Sequence, residues 1–520
     1  MQKKILIHLS YSIWPMYGFE LDLIQQKLNE GHIVKILHCD GSTSFCSANN
    51  SKIMSHKKIK LVCSYCKSKF YNGLNWLDNK KNLIIESFDL LNANQKKIVF
   101  EFDKLLEGKN KLDEEILSFL NNIYYQLGNI CRTTLITETC STIINYEKKE
   151  TYNFFKIIAK SSIEAYYSSL NHLEKFDPDE IYIFNGRIYR YQPLLRLAQS
   201  RIKSENITVY EFPLYGYKNM YLTKKNYPHD LKNLSDQLLE FNQKNSVNFL
   251  EKEKISKEWI EERISKRNYE KSFYPWKNKQ ISGMLPKNFN KLNFNITYFQ
   301  TSESEFLGIP ENEVGLDFKN NFENIVNLLN CLESKPNVFL NIKMHPYKSN
   351  DTKILIEKLS YLKKDHPNIR LILPDSTVDS FELIKKSDLI IVMSSMTGIE
   401  AAYFGKNVIS LTNSAYINFK VTKKVKNFDE LNLLLKKCII SKNFEDFPTD
   451  EDKYKGAVNY IYADLNNNFK SKFLIKNNYK SETMFRNNEY YQIKSSLVNM
   501  CLYKLYCVIR FFLKKINIYT

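Results

Sequence analysis

An α/β chain of two Rossmann-like halves, with a helical insertion in the first, is the fold class that three features of these 520 residues predict. The opening segment alternates strand, helix and strand. A second alternating series begins at Ile296. The stretch from Pro374 to Leu411 reads as strand, hydroxyl-rich turn, helix and strand in quick succession. Composition agrees: 43% hydrophobic and 25% charged residues mark a globular chain, long enough for two or three cores.

In chain order, residues 4–9 read as a strand, 19–29 as a helix and 33–38 as a second strand. The connecting loop carries Gly18 alone, so the dinucleotide fingerprint GxGxxG is absent. His8, Glu20, Asp22 and Asp40 fall at the carboxyl ends of these strands or at the helix start, positions that line a cleft between two such halves. They are the candidate catalytic groups, since a carboxylate or imidazole there serves as general base on a hydroxyl. Cys39, Cys46, Cys63 and Cys66 fall within 28 residues, the last two with the C-x-x-C spacing of a zinc knuckle, and His38 and His56 are spare ligands. These thiols either hold a structural zinc or stay free in a hydrophobic loop; four thiolates leave no open position for a catalytic metal. Residues 82–175 read as helical. A strand at 181–184, a helix over 189–203 and a strand at 208–212 restore the alternation, and Pro275, Gly283 and Pro286 punctuate a linker.

The second series continues with a helix at 320–332, a strand at 338–344, a helix at 352–364 and a strand at 370–373. In NIKMHPY the strand delivers Lys343 and His345 to its carboxyl end, the edge where open α/β sheets bind ligands. Past the apolar run 389–393, Ser394, Ser395 and Thr397 open a helix near Gly398, whose free N–H groups and positive dipole end meet an anion. Glu400, on its first turn, suits two ribose hydroxyls. A nucleotide is therefore the ligand class, its phosphates neutralised by Lys343 and His345 without metal. The alternative is an ordinary βαβ unit with a Ser/Thr cap.

The formal charge of +18 is uneven, the last 51 residues carrying ten Lys and Arg against two Glu. On a helix over 497–515, Asn499, Lys504, Arg510, Lys514 and Lys515 share an arc of roughly 160°, with apolar residues on the rest. Such a helix lies in an anionic membrane surface without spanning it; the alternative is packing across the amino domain. The N-terminus reads as a first strand and not as a signal peptide, and ten cysteines without a leader argue for reduced thiols or metal ligands over disulfides. With no run of 18 apolar residues, the expected location is the cytoplasm, peripheral on the inner face of its membrane. Basic residues are not interleaved with aromatics, so nucleic acid is not an expected partner, although a basic nucleic-acid-binding protein is the alternative of another class.

Several pieces in order carry a resemblance: residues 15–34, the cysteines beginning at HCDG, FNGR at 184–187, YEF around Glu211, YPHD at 227–230, QISGMLP at 280–286, FQTSESEF at 299–306, KMHP, and SSMTGIEAAYFGK. Up to about Phe419 the chain resembles the surface and capsular polysaccharide biosynthesis glycosyltransferases of bacteria, which have a GT-B fold. The resemblance implies two Rossmann-like domains facing a cleft: 1–285 for the acceptor, 290–455 for the donor, followed by a basic helical tail at 456–520. It implies transfer from a nucleotide-sugar donor, CMP- or UDP-linked, to a surface polysaccharide or lipid-linked glycan, with no catalytic cofactor. Arg187 and Glu211 would then bind acceptor. KMHP and the SS pair are also similar to the motifs of transferases that use CMP-activated acid sugars, which places His345, Ser394 and Ser395 on the donor nucleotide. Asp40-Gly41 departs from that second group by sitting among cysteines, so the donor stays open. The rival enzyme is a nucleotide-sugar epimerase of related fold, which needs no acceptor.

Overall fold

The computed structural model describes residues 1–13, 16–49, 59–211, 220–265, 279–306, 308–309, 311, 317–318, 320–332, 337–346, 350–478 and 481–515. Pro15, His56, Phe212 and Pro275 lie outside the described residues. The chain forms two compact units, one of Met1–Thr139, Ile144–Pro228 and Asn468–Thr520, the other of Cys140–Ile143 and His229–Asn467.

The first unit is built on β1 (Lys4–His8), β2 (Ile33–His38), β3 (Leu83–Ser87), β4 (Glu180–Phe184), β5 (Ile207–Glu211) and β6 (Met220–Lys224). Their order is β6-β5-β4-β1-β2-β3, parallel except for β6. Residues 5–8 of β1 are buried throughout, as a parallel strand covered on both faces must be, and such strands read as unbroken apolar runs. β3 contradicts the helical reading of 82–175. It is an edge strand with Ile84 and Ile85 exposed, so it lacks both the continuous burial and the clean alternation that mark a strand in sequence. The expected helical insertion follows as Ala93–Leu105, Glu114–Ile123, Leu127–Thr139 and Lys149–Phe176. Asn92 and Gln95 form a capping box on the first of these, and the Asp113 carboxylate accepts the Ile116 N–H (3.0 Å) at the start of the second.

The second unit holds β7 (Phe294–Phe299), β8 (Val338–Lys343), β9 (Ile369–Ile372), β10 (Leu389–Val392), β11 (Val408–Ser410) and β12 (Lys423–Lys424), all parallel in the order β12-β11-β10-β7-β8-β9. Alternate residues feed two cores: Ile296, Tyr298, Ile342 and Ile391 pack with Ile325 and Leu435, while Phe299, Ile390 and Val392 pack with Phe381, Ile384 and Ala401. In both sheets the first strand of the unit sits between the second and the fourth, the doubly wound order of a Rossmann fold. Two Rossmann-like units with a helical insertion in the first are the GT-B-like class expected.

The units divide the chain elsewhere than at 285 and 455. Helices Leu231–Lys244 and Phe249–Ser265 belong to the second unit, where they pack on Asp450–Asn466 and the Ser256 hydroxyl donates to the Val458 carbonyl (3.1 Å). From Asn468 the chain belongs to the first unit again: β13 (Asn468–Phe469) pairs antiparallel with β6. The tail is not simply helical. β14 (Leu474–Asn478), β15 (Ser481–Arg486) and β16 (Glu489–Ile493) make an antiparallel sheet before the helix Leu497–Lys515.

Candidate functional site

In the second unit Phe299 of β7 pairs with Lys343 on one side and Val392 on the other. Successive connections leave β7 and β10 in opposite directions, so the crevice at their carboxyl ends is a topological switch point, where open sheets bind ligands. Three loops meet at this edge: 300–304, 344–346 and 393–397. Gln300 couples the first two, its N–H donating to the Lys343 carbonyl (3.0 Å) and its side-chain carbonyl accepting the His345 N–H (2.8 Å). In the third, the Ser395 hydroxyl accepts the Thr397 N–H (3.3 Å) and donates to the Thr397 hydroxyl (3.1 Å). Tyr416 braces this turn from behind, its hydroxyl donating to the Ser395 carbonyl (2.5 Å). A Cβ at Gly398 would stand 2.3 Å from the same hydroxyl, so glycine is what lets the tyrosine in. Ser394, Ser395 and Thr397 remain partly exposed.

Lys343 is buried and makes no hydrogen bond through its amine among the described residues. Burial pushes that amine down to about 8 against the pull of Asp375, so it is still mostly cationic at neutral pH. Burial also pushes His345 down to about 4, leaving a neutral imidazole where a charged one was expected. A neutral imidazole can donate a hydrogen bond, and an anion placed beside it would favour its charged form. Two further expectations change. The helix Thr397–Tyr403 has seven residues, so the hydroxyls and Lys343 outweigh its dipole. Glu400, expected to hold ribose, is buried and ion-paired with Arg263 from helix Phe249–Ser265.

In the first unit the switch point lies between β1 and β4, with His8 paired to both Leu37 and Ile183. The loop after β4 turns through left-handed Asn185 (φ 58°) and Gly186 (φ 69°), and a Cβ at Gly186 would stand 2.9 Å from Leu195. Asn185 accepts the Arg187 N–H (3.0 Å) and binds the Glu211 carboxylate through its amide, so Glu211 is tied into the loop and Arg187 is buried. His8 is fully buried, stacks on Phe88 (4.4 Å), and accepts a hydrogen bond on Nε2 from Arg190 Nε (3.3 Å). Burial and the Arg190 charge hold it neutral, with its basic nitrogen occupied. Glu20 is also fully buried; burial pushes it to about 7, against hydrogen bonds from the Ser10 N–H (2.6 Å) and the Tyr210 hydroxyl (2.8 Å). Asp22 is an anchor and not a base. Its carboxylate accepts the N–H groups of Lys472 (3.0 Å), Phe473 (2.7 Å) and Leu474 (3.0 Å), fastening the start of β14.

Asp40 has a partner that sequence reading missed. Asp89, just past β3, faces it across the Ser42 hydroxyl, which contacts both carboxylates. For Asp40, burial is outweighed by the hydrogen bonds from Ser42, and its carboxyl lies below the usual range. For Asp89, burial pushes the carboxyl up to about 6. Two half-exposed carboxylates with values driven apart can hold and pass a proton at neutral pH. The signal was NLIIESFD, an apolar run ending in an acid, which the helical reading of the region hides.

Cys39, Cys46, Cys63 and Cys66 do come together, lining one cavity of about 20 Å³ beside Tyr11 and Val62, room for one water. Among the described residues, no group of three or more His, Cys, Asp and Glu is placed to hold a metal ion. Cys63 and Cys66 sit on helix Lys60–Trp76, where an i, i+3 spacing means a shared face and not a knuckle loop. Burial pushes Cys66 up to about 11 and Cys46 well above its ordinary value, so without a metal ion both are thiols. His38 stacks on Phe70 (4.4 Å).

No protein-family model matches the sequence, and no curated protein does. Among solved structures, the beta Kdo 2,4 transferase of KpsC from Thermosulfurimonas dismutans is similar at 13% identity and a TM-score of 0.35, over 63% of this chain and 87% of that one. The beta Kdo 2,7 transferase of the same protein gives 14% and 0.32, over 63% and 86%. The UDP-GlcNAc 2-epimerase of Neisseria meningitidis, bound to UDP-GlcNAc, gives 12% and 0.30, over 88% and 97%. Likenesses this distant carry no residue roles to this chain.

Proposed function

We propose that the protein is a glycosyltransferase whose second unit binds the nucleotide of a nucleotide-sugar donor and whose first unit holds a glycan acceptor. The observation that supports this most is the meeting of Gln300, Lys343, His345, Ser394 and Ser395 at the β7/β10 switch point, a buried cation and neutral donors suited to phosphate oxygens. As the bond from the anomeric carbon to phosphate breaks, negative charge grows on the departing oxygens. Lys343 meets that charge, and the imidazole of His345 and the serine hydroxyls donate to it. The acceptor hydroxyl forms the new bond to the anomeric carbon and gives its proton to a general base. Within the first unit, the Asp89 and Asp40 pair is the group suited to hold a proton.

The enzyme would work at an anionic membrane surface beside its acceptor. Helix Leu497–Lys515 is held to the first unit through Tyr503, stacked on Tyr65 (4.4 Å). Away from that contact Leu497, Val498, Leu502, Leu505, Val508 and Ile509 are exposed, within an arc of about 140°. Exposed Lys494 and Lys504 supply positive charge nearby. No helix among the described residues is long and apolar enough to cross a membrane.

The test is incubation with CMP- and UDP-sugars, with and without polysaccharide acceptor. Nucleotide release that requires acceptor supports transfer. Rapid release of free or isomerised sugar without acceptor would replace it with the epimerase reading.

A further inference from the structure

The first unit buries a positive charge that has no counterion in contact with it among the described residues. Arg190 is fully buried, and among the described residues it forms no ion pair. Its Nε donates to His8 Nε2 (3.3 Å), while Nη1 and Nη2 have no hydrogen-bond partner. Its guanidinium lies 5.3 Å from the rings of Tyr11 and Phe88 and 5.8 Å from that of Tyr191. The buried Tyr191 hydroxyl is also without a partner. A charge taken out of water is strongly unfavourable unless it is paired and hydrogen-bonded, and the aromatic faces compensate only in part. Arg190 moreover stands in the loop after β4, at the switch point that open sheets use for ligands.

We propose that Arg190 and Tyr191 form a subsite for a carboxylate carried by the acceptor, which makes the acceptor an acidic glycan. The subsite rests on the reading that the first unit binds acceptor. A carboxylate matches the donors in number and charge: two oxygens for the Nη fork, and one negative charge for one positive. A phosphate dianion is the poorer fit, because Asp40 and Asp89 already carry negative charge on the same sheet edge and the field of Arg190 reaches Asp89. Tyr11 lines the neighbouring cavity and its ring lies 5.3 Å from the guanidinium, so a ligand reaching Arg190 from that side has to displace the Tyr11 side chain.

The test uses the full chain with sodium glucuronate, glucose and inorganic phosphate as probes, read by thermal shift and calorimetric titration. Glucuronate is expected to raise the melting temperature of the wild type, with glucose and phosphate leaving it in place. Arg190→Met should melt no lower than wild type, because an unpaired buried charge has been removed, and should lose the glucuronate shift entirely. Arg190→Lys and Tyr191→Phe, which keep charge and shape respectively, should each weaken glucuronate binding about tenfold. Glucuronate binding undiminished in Arg190→Met and Tyr191→Phe alike, or equal shifts from glucose or phosphate, would overturn the subsite. If glucuronate binds through Arg190 yet transfer proceeds to neutral acceptors alone, the subsite stands and the placing of acceptor in the first unit fails.

Discussion

Replacing Glu20 by glutamine should stabilise the protein at pH 8 and change little at pH 4. Glu20 is fully buried, and burial, reinforced by the nearby Glu482 charge, raises its carboxyl from the ordinary 4.5 to about 7. Between those values the unfolded chain has released the proton and the folded chain still holds it, so stability falls as pH rises. The contribution is fully present below 4.5 and lost above 7. A displacement of that size, at about 1.4 kcal/mol per pH unit, amounts to about 3 kcal/mol. Glutamine cannot ionise, and its carbonyl still accepts from the Ser10 N–H and the Tyr210 hydroxyl. Urea unfolding of both proteins at pH 4, 6 and 8 reads the difference. The expected result is a gap opening in favour of Glu20→Gln between pH 5 and 8, as linkage requires over that window. Parallel pH profiles, or a variant that is weaker at pH 8, would show that Glu20 is ionised in the folded protein and return it to the candidates for catalysis.

Gly398→Ala places a methyl 2.3 Å from the Tyr416 hydroxyl, so it should displace that ring, loosen the Ser395 turn and weaken nucleotide binding about tenfold or more; adding Tyr416→Phe should recover part of the loss, measured as a double-mutant cycle. Asp22→Ala strips an acceptor from three backbone N–H groups at about 1–3 kcal/mol each, and limited proteolysis should then cut near Lys472. A protected tail with lost turnover would instead make Asp22 catalytic. Deleting residues from Leu497 onward should move the protein from anionic liposomes to the supernatant with nucleotide binding intact, and loss of cooperative unfolding on truncation would assign the helix to the core.

The switch-point loops were legible because each follows a buried parallel strand, and an apolar run broken by His-Pro or Ser-Ser has few other readings. Lys343, His345, Ser394 and Ser395 come to one sheet edge as that reading requires. Their electrostatics were not legible: the neutrality of His345 follows from burial, which a motif does not encode. β3 was lost because its exposed Ile84 and Ile85 make a two-faced edge strand look like an amphipathic helix, and Asp89 was lost with it. Asp22 and Glu482 were beyond reach for a different reason. Their partners lie more than 400 residues away along the chain, at Phe473 for Asp22 and at Gly18 and Lys69 for Glu482. The cysteine spacing alone does not decide between zinc and free thiols, because i, i+3 serves a helix face as well as a zinc knuckle.

On the proposed function, the second unit's switch point binds a nucleotide through Lys343, His345 and the Ser394–Ser395 turn. Calorimetric titration of CMP, UDP, GDP and dTDP into wild type, His345→Ala and Ser395→Ala tests it directly. One of these nucleotides should bind the wild type with uptake of a proton at pH 6, because His345 starts neutral, near 4, and becomes charged beside the phosphate. Each variant should bind about 10–100-fold more weakly, the cost of one hydrogen bond to a charged group, and His345→Ala should lose the proton uptake. Undiminished binding in both variants, or no binding of any of the four nucleotides by the wild type, would contradict it.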